Sequence, residues 1–173
     1  DGDFSNSQLI NRINSDLANS YGNLFQRVIS MIFKNCNEVI PNRPNDFQNE
    51  DLKLINSIRN SLQNYRSLMD EQKFDQFLKN IWLVISDANK YVDNQAPWSL
   101  KKNDFQRMEV VLYTLIETIR QISVMLQPFI PNTSKSILDH IQIPLVQRDI
   151  KSVELFIDGG IKISTPKPLF PRI

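Results

Sequence analysis

The sequence predicts an all-α protein, a bundle of about five helices that ends in an extended tail or a small hairpin. Three observations support this fold class. Long stretches place apolar residues three or four positions apart, which is the spacing of one helix face. Only 4 of the 173 residues are glycine, and 41% are hydrophobic, enough for one domain with a core. The prolines fall mostly between the periodic stretches, where chain breaks are expected.

The first helix is predicted to begin at Phe4-Ser5 and to end near residue 34 or 35. Ser5 is suited to cap it, and Gln8 three positions later completes a capping-box pattern. One face of this helix is a broad apolar stripe, formed by Ile10, Ile13, Leu17, Tyr21, Leu24, Val28 and Met31.

A row of polar side chains runs along the edge of that stripe. Asn19, Asn23 and Arg27 follow one another in steps of four, so they stack on one flank of the helix. Polar groups held at the edge of a core can form a fixed, partly desolvated recognition site. The alternative is that these side chains are solvated or bonded to a neighbouring loop.

The same spacing predicts a second helix over 49–68, a third from about 71 to 94, a fourth over 104–127 and a short fifth over 133–141. The third has a wide apolar stripe and is expected to be central, with Trp82 in the core, and the fourth is apolar over more than half its circumference. Glu50-Asp51 and Asp70-Glu71 are expected at helix N-termini, where carboxylates interact favourably with the helix dipole. Thr133 and Ser134 are expected to cap the fifth helix.

The pattern changes after residue 143, which suggests a helical bundle over 1–143 and an appendage over 144–173. Residues 153–157 and 161–163 alternate around the turn 158–160, so a hairpin is expected. The proline-rich end reads as an extended tail that carries Leu169 and Phe170, and we expect it to be mobile unless something covers it.

Charge and composition exclude several kinds of function. The net charge of +1, from 20 basic and 19 acidic residues, is far from that of a non-specific nucleic-acid binder, so any RNA contact must be local. Cys36 is the one cysteine and is expected as a small residue near a helix end, consistent with a reducing, cytoplasmic setting. His140 has no Cys or His partner at metal-ligand spacing, and a structural role is favoured. No apolar run reaches the ~18 residues of a membrane span.

Trp98 stands out because it follows Pro97 at a break between two helices. An exposed indole beside a rigid proline is a flat platform for a nucleobase, and such stacking contributes about 1–3 kcal/mol per base. Lys101 and Lys102, one turn later, could meet the flanking phosphates. The alternative is that Trp98 is a hydrophobic plug at the start of the next helix.

Three segments resemble a known family when they are taken together and in order. D-L-A-N-x-x-G-N-L-x-x-R at 16–27, Y-V-D-N-Q-A-P-W at 91–98 and P-L-F-P-R-I at 168–173 are similar to the anticodon-binding region of bacterial-type methionyl-tRNA synthetases. The resemblance implies a helical domain that reads the CAU anticodon of methionine tRNAs. Its anticodon-reading Asn and Arg match Asn23 and Arg27, and its base-stacking Trp matches Trp98, with Pro97 beside it. Asn19 is expected to orient Asn23 or to cap a loop.

The resemblance also implies what this sequence lacks. The catalytic motifs H-I-G-H and K-M-S-K-S and the zinc-bearing insert are absent, and they are expected N-terminal to Asp1. Residues 132–136 look faintly like K-M-S-K-S, but Thr133 replaces the Met. The whole enzyme would join methionine to tRNA with ATP and magnesium, while this piece would have no cofactor and no activity. Its expected partners are methionine tRNA and the catalytic domain of the same chain, without membrane or DNA.

Two alternatives to this reading stay open. Related valyl, isoleucyl and leucyl enzymes carry similar Pro-Trp segments, so the domain could serve another class I synthetase. The second alternative is a helical protein–protein interaction module, with Trp98 and the tail residues Leu169 and Phe170 as contacts.

Overall fold

The computed structural model describes the backbone of residues 17–169 and the side chains of residues 19–169. This part of the chain confirms the all-α bundle. Its helices are α1 (Gly22–Asn35), α2 (Asn49–Asp70), α3 (Phe74–Gln95), α4 (Pro97–Asn103), α5 (Phe105–Leu126) and α6 (Pro131–His140). A π turn over Leu17–Tyr21 leads directly into α1, and two 3₁₀ turns, Leu145–Gln147 and Ser152–Glu154, follow α6. The predicted cap formed by Ser5 and Gln8 lies outside the described residues.

α5 is the central helix of the bundle. Residues 111–126 are all buried, and α5 packs against α1, α2, α3, α4 and α6. The wide apolar stripe of α3 predicts that α3 is central, and that prediction is wrong, because α3 keeps an exposed face that includes Leu83. The polar residues in the sequence of α5 hide its central position, because they are buried and bond to one another. Arg120 and Gln121 both donate to Glu117, at 2.8 Å each. Among the described helices, none is both long and apolar enough to cross a membrane.

Two expectations about helix ends are wrong. Asp70 is the last residue of α2, so Asp70-Glu71 lies at a C-terminal end. Glu71 is stabilised there by an ion pair with Lys73 and a hydrogen bond from Ser67 Oγ at 2.9 Å. α6 begins at Pro131, where the missing N–H costs nothing, so Thr133 and Ser134 lie inside its first turn and do not cap it. Glu50-Asp51 lies in the first turn of α2, as predicted.

The predicted hairpin between 153–157 and 161–163 is also wrong. Residues 158–163 instead run antiparallel to residues 38–43, the loop after α1: Ile40 N–H donates to Ile161 O at 2.8 Å, and Arg43 N–H donates to Asp158 O at 2.7 Å. Gly159 has φ of +84°, and a Cβ there would collide with the backbone of Pro41. Residues 158–163 therefore pair with residues 38–43 because the backbones of these distant segments come close together. Alternation of apolar and polar residues does not reveal such a contact.

The appendage lies against the bundle as far as the structure describes it. Arg120 Nη2 donates to Leu155 O at 2.8 Å, and Gln26 Nε2 donates to Lys167 O at 2.5 Å. Leu169 is half-buried against the core, while Phe170 lies outside the described residues. The mobility of the tail stays a prediction.

The two residues set aside for structural roles are found near helix ends. Cys36 directly follows α1 and is buried. Burial, with the charge of Glu109 second, raises the pKa of its thiol to about 11, so it is a poor nucleophile. His140 ends α6, where its Nδ1 lies 2.8 Å from Ser136 O and its ring meets Phe25 edge-on at 5.8 Å between centroids.

Candidate functional site

A groove of about 720 Å³ lies between the start of α1 and the middle of α3. The α1 side contributes Asn19, Asn23 and Arg27, so the row expected from their spacing forms one wall of the groove. The facing wall comes from α3, whose Trp82 and Ile85 form an apolar strip between polar neighbours. The complete lining is Asn19, Ser20, Asn23, Gln26, Arg27, Trp82, Ile85, Ser86 and Asn89.

Tyr21 fixes the wall formed by α1. Its side chain is fully buried, and its hydroxyl donates to Ile119 O at 3.0 Å and lies 2.6 Å from Ser123 Oγ, both on α5. Burial raises the pKa of this phenol far above its ordinary value, against the smaller effect of Ser123, so it stays neutral. Because the anchor lies two residues before Asn23, the groove wall is tied to α5, the most buried of the described helices.

The backbone around Asn19 departs from ideal α geometry. Residues 17–21 form a π turn, and Tyr21 passes into α1 with helical dihedral angles. Short π segments are often found at functional sites. Asn19, Asn23 and Arg27 still line one groove, although the first of them does not follow the uniform 100° step assumed from the sequence.

Trp98 is brought to the Arg27 end of the groove by a sharp break between α3 and α4. Ala96 takes a left-handed conformation with φ of +45°, and Pro97 opens α4 at the position that tolerates a missing N–H. Pro97 itself is buried, while Trp98 is 51% exposed. The guanidinium carbon of Arg27 lies 5.8 Å from the centre of the Trp98 ring, within range of a cation–π contact. Two distant parts of the chain therefore meet at one place.

Arg27 has a single carboxylate partner among the described residues. Its Nη2 lies 2.7 Å from Asp93 Oδ1, and the two side chains are 38% and 64% exposed. Exposed pairs of this kind contribute about 0–1 kcal/mol, because water screens them. An incoming acceptor can therefore compete for the free N–H groups of Arg27 at little cost.

A buried polar network lies behind α4. Arg107 Nη1 and Nη2 donate to the two carboxylate oxygens of Asp51, each at 2.7 Å, and Nη2 also donates to Gln95 Oε1 at 2.8 Å. Tyr91 donates its hydroxyl proton to Asp51 Oδ1 at 2.5 Å. Burial alone would raise the pKa of Asp51, but the hydrogen bonds from Arg107 and Tyr91 outweigh it and hold that pKa below its usual value.

Some residues of the groove are missed by the sequence reasoning. Trp82 was expected in the core but is half-buried and lines the groove, together with Ser86 and Asn89. The spacing of 82, 85, 86 and 89 is that of one helix face, so a search for a polar edge on α3 would have found them. Lys101 and Lys102, exposed in the last turn of α4, are not among the groove-lining residues.

The described residues offer no metal centre, because no group of three or more His, Cys, Asp or Glu side chains among them could hold an ion. The groove instead presents amides, a guanidinium and an indole, which suit hydrogen bonding and stacking rather than bond-making chemistry.

Comparison with known proteins gives a family match. Residues 40–173 match the family model described as the anticodon binding domain of methionyl tRNA ligase. Over 173 residues the chain is 39% identical to the methionine–tRNA ligase of Brucella suis, which covers 99% of this chain and 33% of that protein. Over 176 residues it is 40% identical to the methionine–tRNA ligase of Caldanaerobacter subterraneus, covering all of this chain and 27% of that protein. The chain thus spans about a third or less of these relatives.

Solved structures agree with the sequence relatives. The free methionyl-tRNA synthetase of Mycobacterium tuberculosis superposes with a TM-score of 0.88 at 34% identity, covering 98% of this chain and 35% of that one. The same enzyme in complex with methionyl-adenylate gives the same TM-score and identity, with 34% of that chain covered.

Proposed function

We propose that this chain, which belongs to the family of anticodon-binding domains of methionyl-tRNA ligases, binds the CAU anticodon loop of methionine tRNAs as one domain of a methionine–tRNA ligase. The observation that carries the proposal is the meeting of Arg27 and Trp98 at the end of a groove lined by Asn23. A hydrogen-bonding side chain that can contact the edge of a base, next to an aromatic ring that can stack on its face, suits an unstacked base.

The first anticodon base, a cytosine, fits these side chains. Its amino group donates a hydrogen bond and its N3 and O2 accept, so an amide oxygen of Asn23 can accept from the amino group while Arg27 donates to the acceptors. Trp98 covers one face of the base, since about half of the surface of Trp98 is exposed to solvent. Pro97 is buried and therefore contributes by directing Trp98 outward.

The remaining expected contacts extend the same surface. Asn19 lies one turn before Asn23 on the groove wall, where it can orient Asn23 or meet the loop beyond the first base. Lys101 and Lys102 are exposed on α4, which also carries Trp98, so they are placed to meet phosphates that flank the stacked base.

The chemistry of the parent enzyme lies outside this chain. We propose that methionine activation with ATP and magnesium, and any zinc site, belong to the catalytic domain of the full-length ligase, whose motifs H-I-G-H and K-M-S-K-S do not occur in this sequence. The partners proposed here are methionine tRNA and that catalytic domain, in the cytoplasm, where proteins are synthesised.

Binding of short RNA stem-loops tests the proposal. We expect this chain to bind a stem-loop with a CAU loop and to lose at least tenfold in affinity when the first base is changed from C to another base, since the hydrogen bonds to Arg27 would be lost. Trp98→Ala and Arg27→Met should each weaken CAU binding at least tenfold, measured by titration of labelled RNA.

Leu83→Ala is the matched control, because Leu83 is an exposed apolar residue of α3 that does not line the groove. Unchanged CAU affinity in Trp98→Ala, with circular dichroism like that of the unmodified chain, would refute the proposed site. Preference for a valine, isoleucine or leucine anticodon would assign the domain to another synthetase, and no binding to any loop would favour the protein–protein alternative.

A further inference from the structure

The position of Trp98 depends on a helix that is too short to hold itself in place. α4 has seven residues, and isolated helices shorter than about 12–15 residues are marginal in water. Its main packing partner is α5, and within α4 Pro97 is buried while Leu100 is half-buried against the core. Something besides helix propensity must therefore fix the direction of α4.

The residues that flank α4, Gln95 at the end of α3 and Asp104 just before α5, both accept hydrogen bonds from Arg107 on α5. At the leading end, Gln95 Oε1 accepts from Arg107 Nη2 at 2.8 Å, immediately before the left-handed Ala96. At the trailing end, Asp104 Oδ1 accepts from the backbone N–H of Arg107 at 3.0 Å and so caps α5. The chain on either side of α4 is thus tied to one amino acid by two hydrogen bonds.

Arg107 is itself held firmly. Two of its guanidinium nitrogens bond to both oxygens of Asp51, which is fully buried in the first turn of α2. The bidentate pairing fixes the plane of the guanidinium as well as its position. Of the hydrogen bonds that the guanidinium donates, the one to Gln95 reaches the segment that leads into α4 and Trp98.

We infer that Gln95 and Arg107 are positioning residues for RNA recognition: the guanidinium, clamped by Asp51, holds Gln95 and so sets the direction in which Trp98 meets a base. This inference rests on the proposed function of Trp98. A purely structural role of the network would instead affect the stability of the bundle without moving Trp98.

Gln95→Met separates the two possibilities, because it removes the acceptor and leaves the Asp51–Arg107 pair intact. The chain has two tryptophans, so labelling with 5-fluorotryptophan gives two ¹⁹F resonances, and Trp98→Phe assigns one of them. We expect Gln95→Met to shift or broaden the Trp98 resonance, to leave the Trp82 resonance in place, and to weaken CAU stem-loop binding by about three- to tenfold.

Gln127→Met is the matched control. Gln127 is also half-buried and donates its amide to Val124 O and Arg148 O, at the far end of α5. It should change the free energy of unfolding about as much as Gln95→Met does, with no effect on the Trp98 resonance or on RNA affinity. Arg107→Lys keeps the charge but loses the fork, and should move Trp98 at least as much as Gln95→Met.

A Trp98 resonance and an RNA affinity that stay at their original values in Gln95→Met would overturn the inference, whatever Arg107→Lys does. The failure of the proposed function looks different: Trp98→Ala would then leave RNA binding intact. The ¹⁹F spectrum of the RNA-free chain still decides whether Gln95 positions Trp98 in that case.

Discussion

Arg27 and Arg107 form ion pairs of the same length in very different surroundings. Each has a guanidinium nitrogen 2.7 Å from a carboxylate oxygen, of Asp93 and Asp51 respectively. The Arg27 side chain is 38% exposed and its partner 64%, whereas the Arg107 side chain is 9% exposed and Asp51 is fully buried.

Since the two distances are equal, burial is what makes the Arg27 ion pair easy to separate and the Arg107 ion pair hard to separate. Water screens the Arg27 pair, so the pair can open and the guanidinium is available to a ligand. The Arg107 pair is shielded from water, so separating its charges is costly, and it acts as a fixed point of the structure. Our proposals accordingly assign recognition to Arg27 and positioning to Arg107, two chemically identical groups.

The largest effect expected from this comparison is on stability. Arg107→Met leaves the carboxylate of Asp51 buried without its cation, which should lower the free energy of unfolding by about 3–5 kcal/mol. Arg27→Met should lower it by no more than about 1 kcal/mol, because its pair is exposed. Urea unfolding of both variants measures the two values, and equal losses would mean that burial does not separate the two arginines.

The next effect concerns pH. The pKa of Asp51 is lowered in the folded chain, so its charge stabilises the fold above the unfolded pKa of about 3.9, and this contribution is lost as the pH falls through the folded value. Asp51→Asn should therefore cost about 3 kcal/mol at pH 7, because Arg107 is left without its carboxylate.

This cost should shrink as the pH drops below about 4, where the unfolded chain begins to bind a proton at Asp51 while the folded chain still keeps the carboxylate charged. Unfolding free energies of both proteins between pH 7 and pH 2.5 provide the test. A cost that is constant over that range would contradict the proposed charge state of Asp51.

The smallest effect concerns the hydroxyl that supports Asp51. Tyr91→Phe removes a hydrogen bond to a buried carboxylate, which should cost about 1.5–3 kcal/mol. Tyr113→Phe is a matched control, since the Tyr113 hydroxyl donates to the neutral Ile157 O at 2.5 Å, and it should cost about 0.5–1.5 kcal/mol. A smaller loss for Tyr91→Phe than for Tyr113→Phe would show that the charge of Asp51 adds nothing to the bond.

Periodicity predicted the helices well because each one needs a continuous apolar face. The positions of α2, α3, α5 and α6 follow from that spacing, and the break at 96–98 follows from Pro97. Periodicity did not show that α5 is the central helix, because Glu117 and Arg120 are buried together there, and a pattern shows polarity but not the partner that satisfies it. The C-terminal hairpin failed for a similar reason, because the partner of residues 158–163 lies more than a hundred residues earlier.

The candidate site was predictable one element at a time. Steps of four placed Asn19, Asn23 and Arg27 on one flank, and the Pro-Trp pair marked a helix break. Neither observation placed Trp82 in the groove or Asp93 against Arg27, because both are set by the angle at which α3 crosses α1.

By itself the sequence determined the helical class and the residue types available for stacking and hydrogen bonding, since local spacing and composition specify these. The tertiary structure decided that Arg27 meets Trp98, that Arg107 is held by Asp51, and that Arg27 is exposed to solvent while Arg107 is buried. Those outcomes depend on how helices distant in the chain pack together, and on which polar groups that packing removes from water.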